Sequence, residues 1–142
     1  MFQSFEAPER LANAGDRVDL LRKLMGELKV DAVLVPRADE HQGEYVPPSA
    51  ERLKWLTGFS GSAGTAVITR QAAALFVDGR YTVQAKAQVD TKRFEILQVP
   101  QAQLSDWLSR KLKAGAVVGF DPRLHTVNEI ERLTDALESH QI

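Results

Sequence analysis

Two short apolar runs, 65-TAVIT-69 and 73-AALFV-77, flank a polar break at Arg70-Gln71. A parallel crossover needs roughly a dozen residues or more, so a linker this short predicts an antiparallel β-hairpin. The rest of the chain must supply the surfaces that cover it.

Upstream, Val18, Leu21, Leu24, Met25 and Leu28 recur at helical spacing and predict an amphipathic helix that starts near Asp16. Residues 32–35 predict a short strand stopped by Pro36, and 37-RADEHQGEYVPP-48 predicts a loop. Ser49 is the expected N-cap of a helix carrying Leu53 and Leu56 and ending at Thr57. Downstream, the composition predicts a helix over 81–89, a strand over 94–99, a helix over 104–112, a buried strand over 117–120 and a helix over 127–137. This alternation implies an α/β fold with a mixed sheet of about five or six strands. Helices are expected on both of its faces. Residues 1–15 show no sustained period and are expected to form a loose leader, with one domain over 16–142. The chain stops at Gln141-Ile142 where another strand would be due, as expected of a domain belonging to a longer protein.

Composition removes several functional classes. With Lys+Arg 18 against Asp+Glu 19, the formal charge of −1 gives no electrostatic reason to expect nucleic acid or an anionic membrane as partner. No cysteine is present, which excludes disulfides and thiolate metal sites and fits a reducing, cytoplasmic setting. The start, MFQSFEAPER, has no basic segment followed by an apolar core, and no apolar run approaches the roughly 18 residues of a membrane span.

The stretch 57-TGFSGSAGTAVIT-69 spaces Gly58, Gly61 and Gly64 evenly. A phosphate cradle reads strand, glycine loop, helix, whereas here the order is helix, loop, strand, and no lysine follows. The local pattern favours glycines that let a turn pack closely. His41, His125 and His140 are scattered, without a metal-ligand spacing, and no nucleophile elbow is formed around Ser60. Polar groups concentrate in 39-DEHQGEY-45 and in 78-DGRY-81. In the second, the spacing alone favours Asp78 as a helix N-cap and Arg80 as a surface cation over a binding pair at a strand end. Asp31, Asp78 and Asp121 fall near strand ends and leave open a magnesium-dependent nuclease as a minor reading. A stand-alone peptide-binding or interaction module is a further alternative.

The succession 36-PRADEHQGEYVPPSAERLKWLTGFSGSAGTAVIT-69 followed by 75-LFVDGRYTVQA-85 closely resembles the N-terminal domain of the cytosolic, three-domain Xaa-Pro aminopeptidases. The resemblance implies a creatinase/prolidase-type N-terminal domain with a ribonuclease-H-like mixed sheet. It also implies a non-catalytic role, in which the domain walls the channel for short peptides with proline in second position. In that family a C-terminal pita-bread domain holds two divalent metals, usually manganese, through two Asp, one His and two Glu. None of those ligand motifs occurs here, so no catalytic, metal or cofactor residue is expected in this chain. Expected partners are the peptide substrate, the parent's own C-terminal domains and, as an option, a second subunit. Arg80 matches the family arginine that contacts peptide, and Asp39, His41 and Tyr45 are weaker candidates for the same rim.

Overall fold

The hairpin forms as the two apolar runs dictate. The structure, a computed structural model, describes residues 14–142. Helix α1 (Ala14–Leu28) leads into β1 (Ala32–Pro36), then α2 (Arg52–Thr57), β2 (Thr65–Thr69) and β3 (Ala73–Asp78). The second half alternates through α3 (Thr82–Gln88), β4 (Glu95–Val99), α4 (Leu104–Lys111), β5 (Val118–Gly119) and α5 (Val127–Glu138). The leader expected over 1–15 lies outside the described residues except for Ala14 and Gly15, which already belong to α1.

Strands β2 and β3 pair antiparallel with Ile68 opposite Ala73. Thr69 closes the turn, its hydroxyl accepting from the N–H groups of Gln71 and Ala72 at 3.3 and 2.9 Å. The five strands lie in the order β4-β3-β2-β1-β5. β1 is antiparallel to β2, while β4 is parallel to β3 and β5 parallel to β1. All strands except β2 therefore point the same way.

Side-chain alternation sorts the strand residues into two cores. Ala66, Ile68, Ala73, Leu75 and Val77 pack with Val18 and Met25 of α1, Leu53 and Leu56 of α2 and Ala85 of α3. Leu34, Val67, Ala74 and Phe76, from the opposite faces of the same strands, pack with Trp107 and Leu108 of α4 and Leu137 of α5. The Trp107 ring meets Phe76 edge-on at 6.4 Å, and its indole N–H donates to Glu95 at 3.0 Å, so the largest buried side chain leaves no donor unpaired.

Three sequence expectations need correction. Ser49 does not cap a helix: Pro47 and Pro48 direct a 3-10 turn at Pro48–Ala50, and α2 starts only after Glu51, which makes no side-chain cap. Pro36 is the last residue of β1 and not a stop before it, tolerated because β5 pairs only with Ala32 and Val33 and leaves that end of β1 without a second neighbour. The strand expected over 117–120 is two residues long and lies at the sheet edge, with Val117 and Phe120 49% and 39% exposed.

The glycine loop is a packing device around Phe59, which is 1% exposed. Gly58 ends α2 at φ +80°, a left-handed conformation in which a side chain is strained. At Gly61 a Cβ would stand 2.1 Å from the Phe59 ring, and at Gly64 it would meet Phe59, Leu53 and the Phe76 carbonyl at 3.2 to 3.3 Å. Gly61→Ala is therefore expected to lower stability by about 1–3 kcal/mol, the usual cost of overpacking a filled core. Chemical denaturation should show the midpoint falling with an unchanged slope. A wild-type midpoint would mean that the ring has room to turn aside.

Candidate functional site

Because β1, β3, β4 and β5 run in one direction, their carboxyl ends share one end of the sheet with the start of β2. Both polar concentrations of the sequence lie there: the loop after Pro36 and the turn after Asp78. The glycine loop, which feeds β2, lies at the same end.

Arg37 ties these parts together. Its backbone N–H donates to the Gly64 carbonyl at 2.9 Å, and its guanidinium Nη1 donates to the carbonyls of Ser62 at 3.0 Å and Glu44 at 3.4 Å. Ser62 in turn hydrogen-bonds the Tyr81 hydroxyl, and the Tyr81 ring stands edge-on to Phe59 at 6.0 Å. On the loop's other flank, Ser60 accepts from Gln84 and Gln88 of α3 at 3.1 and 2.8 Å. A continuous brace thus runs from the 37–45 loop through the glycine loop to the residue beside Arg80. Arg37, Ser62 and Tyr81 were not singled out from the sequence. The signal for Arg37 was its place directly after a strand.

The expected binding residues fare differently. Arg80 is exposed at the end of β3, its side chain 74% accessible, with Nε 3.0 Å from Asp78 Oδ1 and the guanidinium carbon 5.4 Å from the Tyr81 ring centre. Asp78 also accepts the Arg80 backbone N–H at 2.9 Å, so it caps the 3-10 turn at Gly79–Tyr81. That backbone bond, and then the guanidinium, hold the Asp78 carboxyl below the usual carboxylate range. Asp39 is turned inward and only 7% exposed. It accepts the backbone N–H groups of Gly43 and His41, each at 3.0 Å, and the Gly43 bond leads in lowering its pKa. This carboxylate shapes the loop. His41 and Tyr45 point outward, Tyr45 being 86% exposed, and His41 Nε2 lies 3.4 Å from Glu40.

The three strand-end aspartates do not converge. Asp31 precedes β1, at the opposite end of the sheet from Asp78 and Asp121, and holds the Val117 N–H with Arg70 at 3.7 Å. Asp121 is clasped by Arg52 of α2 and by Arg123 at 3.0 Å. Among the described residues no group of three His, Cys, Asp or Glu side chains comes together as a metal-binding set. This arrangement lacks the ligand cluster that the nuclease reading needs. What the sheet end offers is a long exposed guanidinium, phenol and hydroxyl groups and an imidazole, a set suited to hydrogen-bonding the oxygens of an extended ligand.

Residues 17–142 match the family model described as the creatinase/prolidase N-terminal domain. The chain belongs to that family. It is 40% identical over 139 residues to a probable Xaa-Pro aminopeptidase P of Neosartorya fischeri, covering 94% of this chain and 21% of that protein. A similar enzyme of Paracoccidioides lutzii is 40% identical over 130 residues. The chain thus spans about a fifth of the length of the curated relatives it matches. Among solved structures, an X-prolyl aminopeptidase of Caenorhabditis elegans, described as a cytosolic enzyme with a di-nuclear active site, superposes with a TM-score of 0.85 at 32% identity, over 92% of this chain and 23% of that one. The N-terminal domain of the cytoplasmic peptidase PepQ of Mycobacterium tuberculosis superposes with a TM-score of 0.66 at 27% identity, covering 89% of this chain and 88% of that one. The mixed sheet with helices on both faces is therefore the fold of the creatinase/prolidase N-terminal domain. Among the described residues, no helix is long and apolar enough to cross a membrane.

The Asp121 clasp gives a pH test of how α2 is held to the far strand edge. The Arg123 side chain first, and Arg52 next, hold its carboxyl far below the usual range. A depressed folded-state pKa means stabilisation that is complete above the unfolded value of about 4 and is lost as pH falls below it. Asp121→Asn should therefore be less stable than wild type at neutral pH, with the gap closing in melts taken below about pH 4. A gap that stays constant through acid would show that the clasp carries no linked proton.

Proposed function

We propose that this chain is the non-catalytic N-terminal domain of a metal-dependent Xaa-Pro aminopeptidase, acting in the cytoplasm, and that its braced sheet end forms part of the wall of the peptide channel. The single observation that carries the reading is Arg80. A guanidinium at a strand's carboxyl end, exposed and oriented by Asp78, is the group on this surface best able to reach a bound peptide. The 40% identity to aminopeptidase P sequences and the di-nuclear character given for the C. elegans enzyme support the choice of parent. The described residues do not fit a metal pair, since their strand-end aspartates are separated and engaged by arginines. The parent's two divalent ions would accordingly be held by its C-terminal part. This domain's own contribution is to bind and orient substrate: Arg80 donates to peptide carbonyl or carboxylate oxygens, with Tyr45 and His41 along the same rim.

Arg80→Ala in the full-length enzyme should lower kcat/KM for X-Pro peptides by roughly ten- to a hundredfold, as expected for losing a hydrogen bond from a charged donor. Metal content and the far-ultraviolet spectrum should stay as in wild type. An unchanged kcat/KM would leave Arg80 as a surface cation and remove the support for a channel wall here. The chain by itself is expected to cleave no X-Pro peptide. Turnover above background by clean protein, at a rate unaffected by repurification, would contradict the non-catalytic assignment.

A further inference from the structure

The surface shared by α1 and α2 is apolar and uncovered among the described residues. Leu20, Leu24 and Leu28 recur every four residues along α1, so they share one stripe, and all three are exposed, Leu20 by 62%. Trp55 of α2 is 52% exposed and lines one groove with Leu20 and Leu24. The groove holds about 380 Å³ and reaches down to Val33 and Val35 of β1. It is open because β5 pairs only with Ala32 and Val33, so beyond that point β1 has no outer neighbour. Single apolar side chains on a surface are ordinary, whereas a contiguous group around a groove marks a binding face.

The rim of the groove adds a charge. The Arg17 guanidinium carbon lies 4.6 Å from the centre of the Trp55 ring, and Nη1 donates to the Trp55 carbonyl. Arg22, Arg52, Arg70, Arg80, Arg93 and Arg123 each reach a carboxylate, whereas Arg17 reaches none among the described residues. Tryptophan and arginine are the residues that most often carry the binding energy of a protein interface, and here one is stacked on the other. A small hydrocarbon would fill the groove but leave Leu28 wet and Arg17 without a counter-charge. A polypeptide with an apolar side chain and a nearby carboxylate meets both.

Area and connectivity decide which polypeptide. Even an aromatic side chain buries only about 150–250 Å². Four large side chains about half exposed therefore offer less than the roughly 800 Å² that each free partner of a stable complex contributes. A tethered segment needs less, because its effective concentration is on the order of millimolar. The curated relatives supply such a tether, this chain covering 21% of the length of one of them. The Gly115 N–H holds the Gln141 carbonyl at 2.7 Å, and Ile142 lies with Val117 and Val118 at the β5 edge. The groove opens at the same edge, where Asp121 and Leu124 follow β5. We propose that the α1–α2 groove seats the polypeptide that follows this domain in the full-length protein, with an apolar side chain between Leu20, Leu24 and Trp55 and a carboxylate on Arg17. The proposal rests on the reading of a longer parent enzyme and concerns a different surface from the braced sheet end.

The test is hydroxyl-radical labelling of this chain and of the full-length protein, read by mass spectrometry at Leu20, Leu24 and Trp55, with the buried Trp107 as control. The expected result is several-fold less labelling of all three in the full-length protein and an unchanged, low value at Trp107. Leu20→Glu should melt near wild type in this chain, as an exposed position does. In the full-length protein it should lower the melting temperature by several degrees and restore the labelling of Trp55, while Leu20→Met should behave as wild type in both. Equal labelling of the two proteins overturns the proposal. So does an equal loss of stability in both on Leu20→Glu, which would make Leu20 a core residue. A full-length dimer that Leu20→Glu dissolves also overturns it, since a second copy would then fill the groove. The labelling needs no substrate, so a full-length protein that cleaves no X-Pro peptide removes the aminopeptidase reading and leaves the docking standing, while equal labelling leaves any kcat/KM effect of Arg80→Ala standing.

Discussion

Strands β2 and β3 are buried on both faces, and the molecule's organisation follows from that. Neither strand has a wet side: Ala66, Ile68, Leu75 and Val77 face one core while Val67, Ala74 and Phe76 face the other. Such a hairpin cannot exist without cover, so α1, α2 and α3 must close one face and α4 and α5 the other. Polar side chains on these central strands are thereby pushed to the strand ends. A domain built this way can present binding chemistry at the ends of its sheet and hardly anywhere along it.

Of the two ends, the one carrying the glycine loop is the more elaborately braced. Phe59 fills the space that Gly61 and Gly64 leave, and its edge contact with Tyr81 fixes the residue next to Arg80. Arg37 reaches the same loop from the opposite side. The absence of a side chain at these two glycines thus allows one aromatic ring to lock two polar segments far apart in sequence. Positioning a flexible arginine on such a platform restricts where its guanidinium can go without burying it.

Much of this was legible in the sequence, and the misses have physical causes. The hairpin, the five helices around it and the two-sided cover follow from apolar runs and their spacing. The edge strand was overestimated because Val117, Val118 and Phe120 look like core residues, and only the pairing partner decides whether a β-rich run is buried. The start of α2 was misplaced because a serine before a helical pattern resembles a cap, while the two preceding prolines set a tighter turn. Conversely, 126-TVNE-129 forms a capping box that starts α5 and was readable from its spacing alone. Arg37 escaped notice since its guanidinium acts on carbonyl acceptors contributed by residues up to 25 positions away, which no local pattern encodes.

The candidate site shows how far a shared motif can carry a functional assignment. Asp39, His41, Tyr45 and Arg80 enter on the same resemblance, yet their environments divide them. Asp39 has its carboxylate engaged by two backbone N–H groups inside the loop, so replacing it would change the loop's shape before it changed any contact with a ligand. Arg80 and Tyr45 keep their functional groups in solvent. Burial and prior hydrogen bonding therefore separate residues that build the rim from residues that can act on it.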